Sequence, residues 1–316
     1  MSFFPRDLAR PTAAPGPILQ WEEPDCLLCG ARNWAALVEG ADKGPGGTGL
    51  WFAVVQCQEC GLCFTNPRPA PFSIGRFYPK EYRPHQSPRP TDGRRWRVRR
   101  HAGKLLTELD LPKWHGQGRL LDFGCGGGSF LQRMHARGWQ VTGVDVCTEA
   151  VGRISRQLRL RALVGTLPHP ELEPESFDVI TMWHALEHVH DPLGVLREAY
   201  QLLVPGGKLL VAVPNIDSLQ FRWFGHTWYG LDLPRHLTHF APWTLQMMLQ
   251  RAGFRVGRVK MVGRSGWLRR SARRACEAPE KPSWRRWLKV RPASRLAAWY
   301  SALTHQSDCM SVSAER

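Results

Sequence analysis

No stretch of 18 or more consecutive apolar residues occurs in the 316-residue chain, which excludes a membrane-spanning helix. The first residues, MSFFPRDLARPTAAPGP, lack the long apolar run of a secretion signal, and residues 1–20 read as a disordered leader. Without an export signal, the nine cysteines argue for thiols or metal ligands rather than disulfides, and the expected location is the cytoplasm. Acidic residues are scarce: 27 Asp and Glu face 43 Lys and Arg, a formal net charge of +16. The shortage is concentrated. Between residues 251 and 295, 15 bases stand against two acids, Glu277 and Glu280, and a smaller basic run occupies residues 94–100. Such surfaces suit nucleic acid, anionic lipid headgroups or phosphorylated substrates; a solvated basic tail has the same composition. At 43% hydrophobic residues, a core is easily built, and the length suits about two domains.

A different absence defines the most informative segment, residues 119–130, RLLDFGCGGGSF. A short apolar run leads into a glycine-rich loop and then into helix-compatible residues. A second apolar run, Val141 to Val144, ends on Asp145. This is a strand, turn, helix and second strand, the opening of a nucleotide-binding α/β unit. The dinucleotide pattern G-x-G-x-x-G is not completed, because its last place from Gly124 holds Ser129. The segment instead reads Asp122-x-Gly124-x-Gly126-x-Gly128. An acid still on the first strand suits a cationic ligand and would repel a phosphate at close range. The glycines permit close backbone approach, and Asp145 is placed to accept hydrogen bonds from a ribose.

Two C-x-x-C-G pairs, Cys26 with Cys29 and Cys57 with Cys60, supply four thiolates with the reach of a tetrahedral zinc site. The glycine after each pair permits the turn that aims amides at sulfur. Cys63 repeats the spacing and could compete as a ligand. Removing Cys26 or Cys60 is expected to unfold this module and spare the rest.

Between Arg161 and Val262 the pattern alternates: strands at 161–164, 177–182, 208–213 and 254–262, and helices at 193–203 and 243–252. Such alternation predicts a Rossmann-like, doubly wound, mostly parallel α/β sheet with a small N-terminal zinc-ribbon module. The expected organisation is a leader (1–20), a zinc ribbon (21–67), a connector (68–115) with a helix over 94–109, a nucleotide-binding domain (116–262) and a basic, Trp-containing segment (263–316).

Asp122, Gly124, Gly126, Gly128, Asp145 and the Pro205-Gly206-Gly207 turn together resemble the class I S-adenosylmethionine-dependent methyltransferases. The resemblance implies S-adenosylmethionine as cofactor, with Thr166 and Leu167 where the family contacts adenine. The knuckles followed by Asn66-Pro67-Arg68-Pro69 resemble zinc-bearing methyltransferases of sugar and glycan biosynthesis. In a doubly wound sheet the ligand sits at the carboxyl ends of the strands. The fourth strand there meets Trp183-His184-Ala185-Leu186-Glu187-His188. This lacks the N/D-P-P-Y signature of amine methylases and resembles the E-H-V-x-D-P form of quinone and sugar enzymes. Methyl transfer to oxygen or an acidic carbon needs a proton removed, which His188 can accept while Glu187 orients it or binds a sugar hydroxyl. Alternatively, both cap the next helix. In the quinone enzymes this place is linked to a divalent metal, and His184 stands where one of their acids would be. His184, Arg235 and His236 are candidate substrate contacts, the last two gripping a phosphate or carboxylate, or else packed within a loop. The expected partners are a small-molecule, glycan or lipid-linked acceptor and an anionic membrane surface, inside the cell and peripheral to the inner face of the membrane. Nucleic acid is the second choice, through a zinc-ribbon RNA methyltransferase. A non-catalytic cofactor-binding scaffold is a third reading.

Overall fold

The computed structural model describes residues 19–42, 47–78, 118–277 and 283–316. The basic run at 94–100, the helix expected over 94–109, and nearly all of the leader and connector lie outside the described residues.

The chain begins with short antiparallel strands. β1 (Trp21–Glu22) pairs with β5 (Arg68–Pro69), which clamps the entry of the N-terminal module to its exit. Between them, β2 (Trp34–Ala41), β3 (Trp51–Cys57) and β4 (Cys63–Thr65) form an antiparallel meander. β3 buries Phe52, Val54, Val55 and Cys57, whereas β2 is largely exposed, as an edge strand should be.

Five parallel strands follow. β6 (Arg119–Phe123), β7 (Gln140–Asp145), β8 (Arg161–Val164), β9 (Phe177–Trp183) and β10 (Leu203–Pro214) alternate with α1 (Ser129–His135), α2 (Thr148–Arg153) and α3 (Pro192–Leu202). Residues 209–213 of β10 are buried apolar residues without interruption, the signature of a strand covered on both faces. α3 starts where Pro192 fixes the first helical φ and the Asp191 carboxylate accepts the Gly194 N–H at 2.8 Å. α4 (Leu219–Phe224) precedes β11 (Thr238–His239), which crosses to pair with β4 of the N-terminal meander. α5 (Pro242–Arg251) stops before Gly253, whose φ of +102° suits only glycine. β12 (Arg255–Val262), α6 (Ser265–Glu277), α7 (Arg291–Leu303) and β13 (Cys309–Glu315) complete the chain.

The seven-stranded sheet has the order β12-β13-β10-β9-β6-β7-β8, and β13 runs antiparallel to both neighbours. The chain leaves the centre in one direction through β7 and β8 and in the other through β9 and β10. The ends of β6, β7 and β9 therefore border the crevice where a ligand belongs.

Two expected boundaries differ in the structure. Residues 263–316 are not an appendage: β13 lies between β12 and β10, with Cys309, Met310, Val312 and Ala314 buried. Nor does packing stop at residue 67. Cys26, Leu28, Val55 and Phe64 share one core with Leu186, Phe240, Leu245 and Met248. Arg68 pairs with Glu22 at 2.7 Å and donates to the His190 carbonyl, fixing the module to the loop after β9.

Candidate active site

The glycine loop leaves β6 directly after the buried Asp122. Gly124, Gly126 and Gly128 all adopt positive φ, between 52° and 75°, where a side chain is strained. A β-carbon at Gly124 would stand 2.5 Å from the Ala185 β-carbon, and one at Gly128 2.7 Å from Ile154. The loop is thus a cradle that only glycine leaves open. Asp145, at the end of β7, holds it in shape: one carboxylate oxygen accepts the Gly126 N–H at 2.8 Å and the other the Cys147 N–H at 2.9 Å. Asp122 accepts the Thr181 hydroxyl at 2.7 Å. Its burial, with the nearby negative Asp145, pushes its pKa up to about 7 against the opposing pull of Thr181 and Arg133. Trp183, which ends β9, packs edge-on against Phe130, and its buried indole N–H has no hydrogen-bond partner among the described residues. Thr166 is exposed and Leu167 is buried, both in the loop after β8.

The loop after β9 touches this cradle through Ala185 and carries the remaining candidates. His184 (φ +55°) turns back so that Nδ1 lies 3.3 Å from Glu187 Oε1 and Nε2 3.8 Å from Cys309 Sγ. Burial opposes its charge, yet Cys309 and Glu187 raise its pKa to about 9. Glu187 is wholly buried; the desolvation is overcome by His184, and its pKa falls. Its second oxygen, Oε2, is left without a partner among the described residues. His188 donates from Nδ1 to the Arg235 carbonyl at 3.0 Å, with the Tyr78 hydroxyl also 3.0 Å away. Burial, reinforced by His236, pulls the His188 pKa down to about 4. His236 donates from Nδ1 to the Gly230 carbonyl at 2.8 Å, and its ring stands 4.6 Å from that of His188. Held neutral in this way while Nδ1 donates, the His188 ring keeps an unprotonated Nε2. The donor atoms of Glu187, His188 and His236 lie within 4.8 Å of one another.

Arg235 differs from expectation. Its guanidinium is buried and all five of its N–H groups are engaged: Nε and Nη2 on Asp232, Nη1 on Asp42 at 3.0 Å and the Phe77 carbonyl at 2.9 Å, and Nη2 again on the Leu233 carbonyl. The two carboxylates hold its pKa above the ordinary value despite burial. A saturated guanidinium has no donor left for a substrate. Arg235 instead joins the loop before β11 to the N-terminal module.

A sequence profile of the methyltransferase domain matches residues 88–259, more than half of the chain. The chain belongs to this methyltransferase family, in the class I S-adenosylmethionine-dependent group. A ubiquinone biosynthesis O-methyltransferase of Xanthomonas euvesicatoria is 31% identical over 166 residues, 48% of this chain and 69% of that protein. The Aeromonas salmonicida protein of the same description is 37% identical over 107 residues, 31% of this chain and 43% of that protein. The chain spans less than half the length of the first curated relatives it matches. Among solved structures, a Bacillus halodurans C-125 protein classed as a methyltransferase is 16% identical and superposes with a TM-score of 0.50 over 67% of this chain and 98% of that one. That likeness shows a common fold.

The N-terminal cysteines converge as a set. Cys26 and Cys60 sulfurs are 3.4 Å apart, those of Cys29 and Cys57 3.5 Å, and all four lie within 4.8 Å of one another. Gly30 and Gly61, at φ +78° and +74°, close each knuckle through N–H donation to Cys26 and Cys57 carbonyls. Without a metal the thiols differ: burial pushes Cys26 and Cys60 up, whereas amide donors from Cys60 and Glu59 overcome the desolvation of Cys57 and lower its pKa to about 7. Cys63 is buried apart from the set, near the Gly61 carbonyl. Three residues beside the site carry no motif signal in the sequence: Tyr78 against His188, Trp267 of α6 with its ring 5.2 Å from that of His184, and Cys309 of β13. Each comes from an element distant in sequence, so local spacing does not reveal it.

Proposed function

We propose that this methyltransferase transfers the methyl group of S-adenosylmethionine to the oxygen of a small-molecule acceptor, a phenol- or quinol-type hydroxyl. The observation that carries this reading is the contact between cradle and reaction loop. Gly124 faces Ala185, which precedes the buried Glu187 and the half-buried His188 by two and three residues. The cofactor cradle and a cluster of proton-accepting groups thus open on one crevice. The residues fit the cofactor: a β-carbon at Gly124 or Gly128 would collide with Ala185 or Ile154 and force the loop out of this shape, and the buried Trp183 indole N–H beside Phe130 has no partner among the described residues. Gly124, Gly126 and Gly128 would bring backbone to the methionine end, Asp145 would accept from the ribose, and Asp122 would favour the cationic amine. Thr166 and Leu167 would border the adenine. Bound there, the sulfonium supplies an electrophilic methyl group.

The acceptor oxygen must then attack in line with the breaking carbon–sulfur bond and give up its proton. His188 Nε2 takes it, while Nδ1–H stays on the Arg235 carbonyl and fixes the ring. Glu187 stabilises the imidazolium that forms. Alignment of the two reactants should supply much of the acceleration. The O-methyltransferase relatives support oxygen as the accepting atom. A sugar or lipid-linked hydroxyl would meet the same groups.

A second reading of His188 follows from the orphaned Glu187 Oε2. Glu187, His188 and His236 form a carboxylate-plus-imidazole donor set that would hold a divalent cation, whose chemistry there is to acidify a bound hydroxyl. His184 stands outside this donor set, with Nδ1 on Glu187 Oε1 and Nε2 facing Cys309 Sγ. The four cysteines fit one structural zinc, the ion for which four thiolates and closed knuckles are suited.

The test is methyl transfer from labelled S-adenosylmethionine to catechol-type, sugar and RNA acceptors in parallel, with product mass spectrometry. O-methylation of the small hydroxyl carries the proposal; transfer to RNA alone overturns it. Treatment with a chelator too weak to strip the cysteines separates the base from the cation.

A further inference from the structure

We propose that the outward face of α7, with the turn before it, is a docking surface for an anionic lipid bilayer. α7 is amphipathic the wrong way round. Its inward residues are Ser294, Ala298 and Ser301, all buried. Its outward stripe is Leu296, Trp299, Tyr300 and Leu303, at the i, i+3, i+4, i+7 spacing of one helix face. Leu296 is 66% exposed and Trp299 60%. The 3-10 turn that leads in, Ser283–Lys289, adds Trp287 at 64% exposure and Trp284, and Val290 follows it. A globular surface helix normally turns such residues inward, and a contiguous exposed apolar patch of this kind marks an interaction site.

The charges name the partner. Residues 283–303 hold five bases, Arg285, Arg286, Lys289, Arg291 and Arg295, and no acid. Arg285 lies over the Trp284 ring at 5.5 Å and Arg286 over Trp287 at 5.9 Å, so cation and aromatic share one level. Indole rings with guanidinium groups suit the headgroup region, and the aliphatic Leu296 and Leu303 suit the acyl boundary beneath it. A second copy of the chain would set basic faces against each other. A nucleic acid would match the bases and stack on the indoles but leave the leucines in water.

Behind this face α7 packs on α6, and Trp267 of α6 lies tilted at 49° beside His184, with ring centroids 5.2 Å apart. Docking would bring the chain to the bilayer, where an apolar acceptor dissolves; this last step rests on the acceptor reading above.

The test is co-sedimentation of the full chain with phosphatidylcholine vesicles with and without phosphatidylglycerol. Binding is expected only with the anionic lipid and should weaken steeply with salt, since each base contributes about fivefold to partitioning. The triple variant Trp287→Ser, Leu296→Ser, Trp299→Ser should lose roughly tenfold or more in partitioning. Its S-adenosylmethionine affinity should be unchanged, which shows that it is folded. Absence of sedimentation with anionic vesicles overturns the proposal. So does a gel shift with RNA without vesicle binding, or a dimer in ultracentrifugation that the triple variant abolishes. Turnover of a water-soluble catechol without vesicles reports on the acceptor separately: docking without turnover sinks only the acceptor reading, and turnover without docking sinks only this one.

Discussion

At the scale of single residues, environment rather than residue type decides what the candidate groups can do. An exposed histidine titrates near 6.5. His188, desolvated and beside His236, is held neutral down to about pH 4. As a base it is fully available at neutrality, and its protonation would slow turnover only as pH falls toward 4. The rate constant kcat should therefore be flat between pH 8 and 5.5, with no limb near 6.5 from this residue. His188→Ala should lower kcat by about 10²–10⁴ while leaving cofactor affinity nearly intact. Single-turnover rates check this, and a wild-type limb at 6.5 would place another group in the role. Asp122 is shifted the opposite way, up to about 7. A raised carboxyl contributes stability below its unfolded pKa, near 4, and that contribution is lost as pH rises through 7. A cationic ligand favours its ionised form, so S-adenosylmethionine affinity should rise with pH across 7 and proton release should accompany binding. Calorimetry in buffers of different ionisation enthalpy reads both, and Asp122→Asn should remove the dependence. Unaltered pH dependence in that variant would detach Asp122 from the cofactor.

At the scale of elements, the sequence is most legible where one strand or loop carries its own signal. The run into Gly124, the acid ending β7, the amphipathic helix from Leu193 and the buried apolar β10 all follow from spacing and residue type. What the sequence hides is long-range pairing. β13 alternates serine with small apolar residues, and at 7 residues beyond a strongly basic stretch it looks like a tail. Its burial comes from β10 and β12, 90 or more and about 50 residues earlier. Arg235 is hidden for the same reason: its partners Asp42 and Phe77 are 193 and 158 residues away. Local charge suggests a substrate grip, whereas the fold turns the guanidinium into an interior tie. The same strand yields a sharp expectation. Truncation after residue 262 would expose the β10 edge and unpair β12, which loses six ladder positions to β13. Such an edge invites aggregation. The shortened chain should be insoluble or molten, as judged by expression yield and near-ultraviolet circular dichroism. A soluble, cofactor-binding product would show that residues 263–316 are the appendage their composition suggests.

At the scale of the molecule, the N-terminal module and the sheet are one cooperative body. Viewed as sequence, the cysteine knuckles look detachable, so their loss should spare the rest. The structure leads elsewhere. Cys26, Leu28 and Cys57 lie in the same apolar cluster as β9, β10 and α5. β11 is paired to β4, Arg251 donates to the Leu28 carbonyl, and the buried Arg235 is neutralised half by Asp232 of its own loop and half by Asp42 of β2's end. Pulling the module away would strand that guanidinium against one carboxylate and bare the Phe64–Phe240 side of the core. Breaking a buried pair by removing one partner costs about 3–5 kcal/mol. Structural zinc can supply roughly 10–16 kcal/mol of apparent folding free energy, more than a typical domain's whole stability. Stripping the metal with a strong chelator should therefore lower the melting temperature of the entire chain in a single transition, with S-adenosylmethionine binding lost in step. Cys60→Ser should behave in the same way, and added zinc should restore the chelated wild type. Calorimetry that instead resolves an early N-terminal transition, followed by a sheet that still binds cofactor, would show that the shared core does not couple the two.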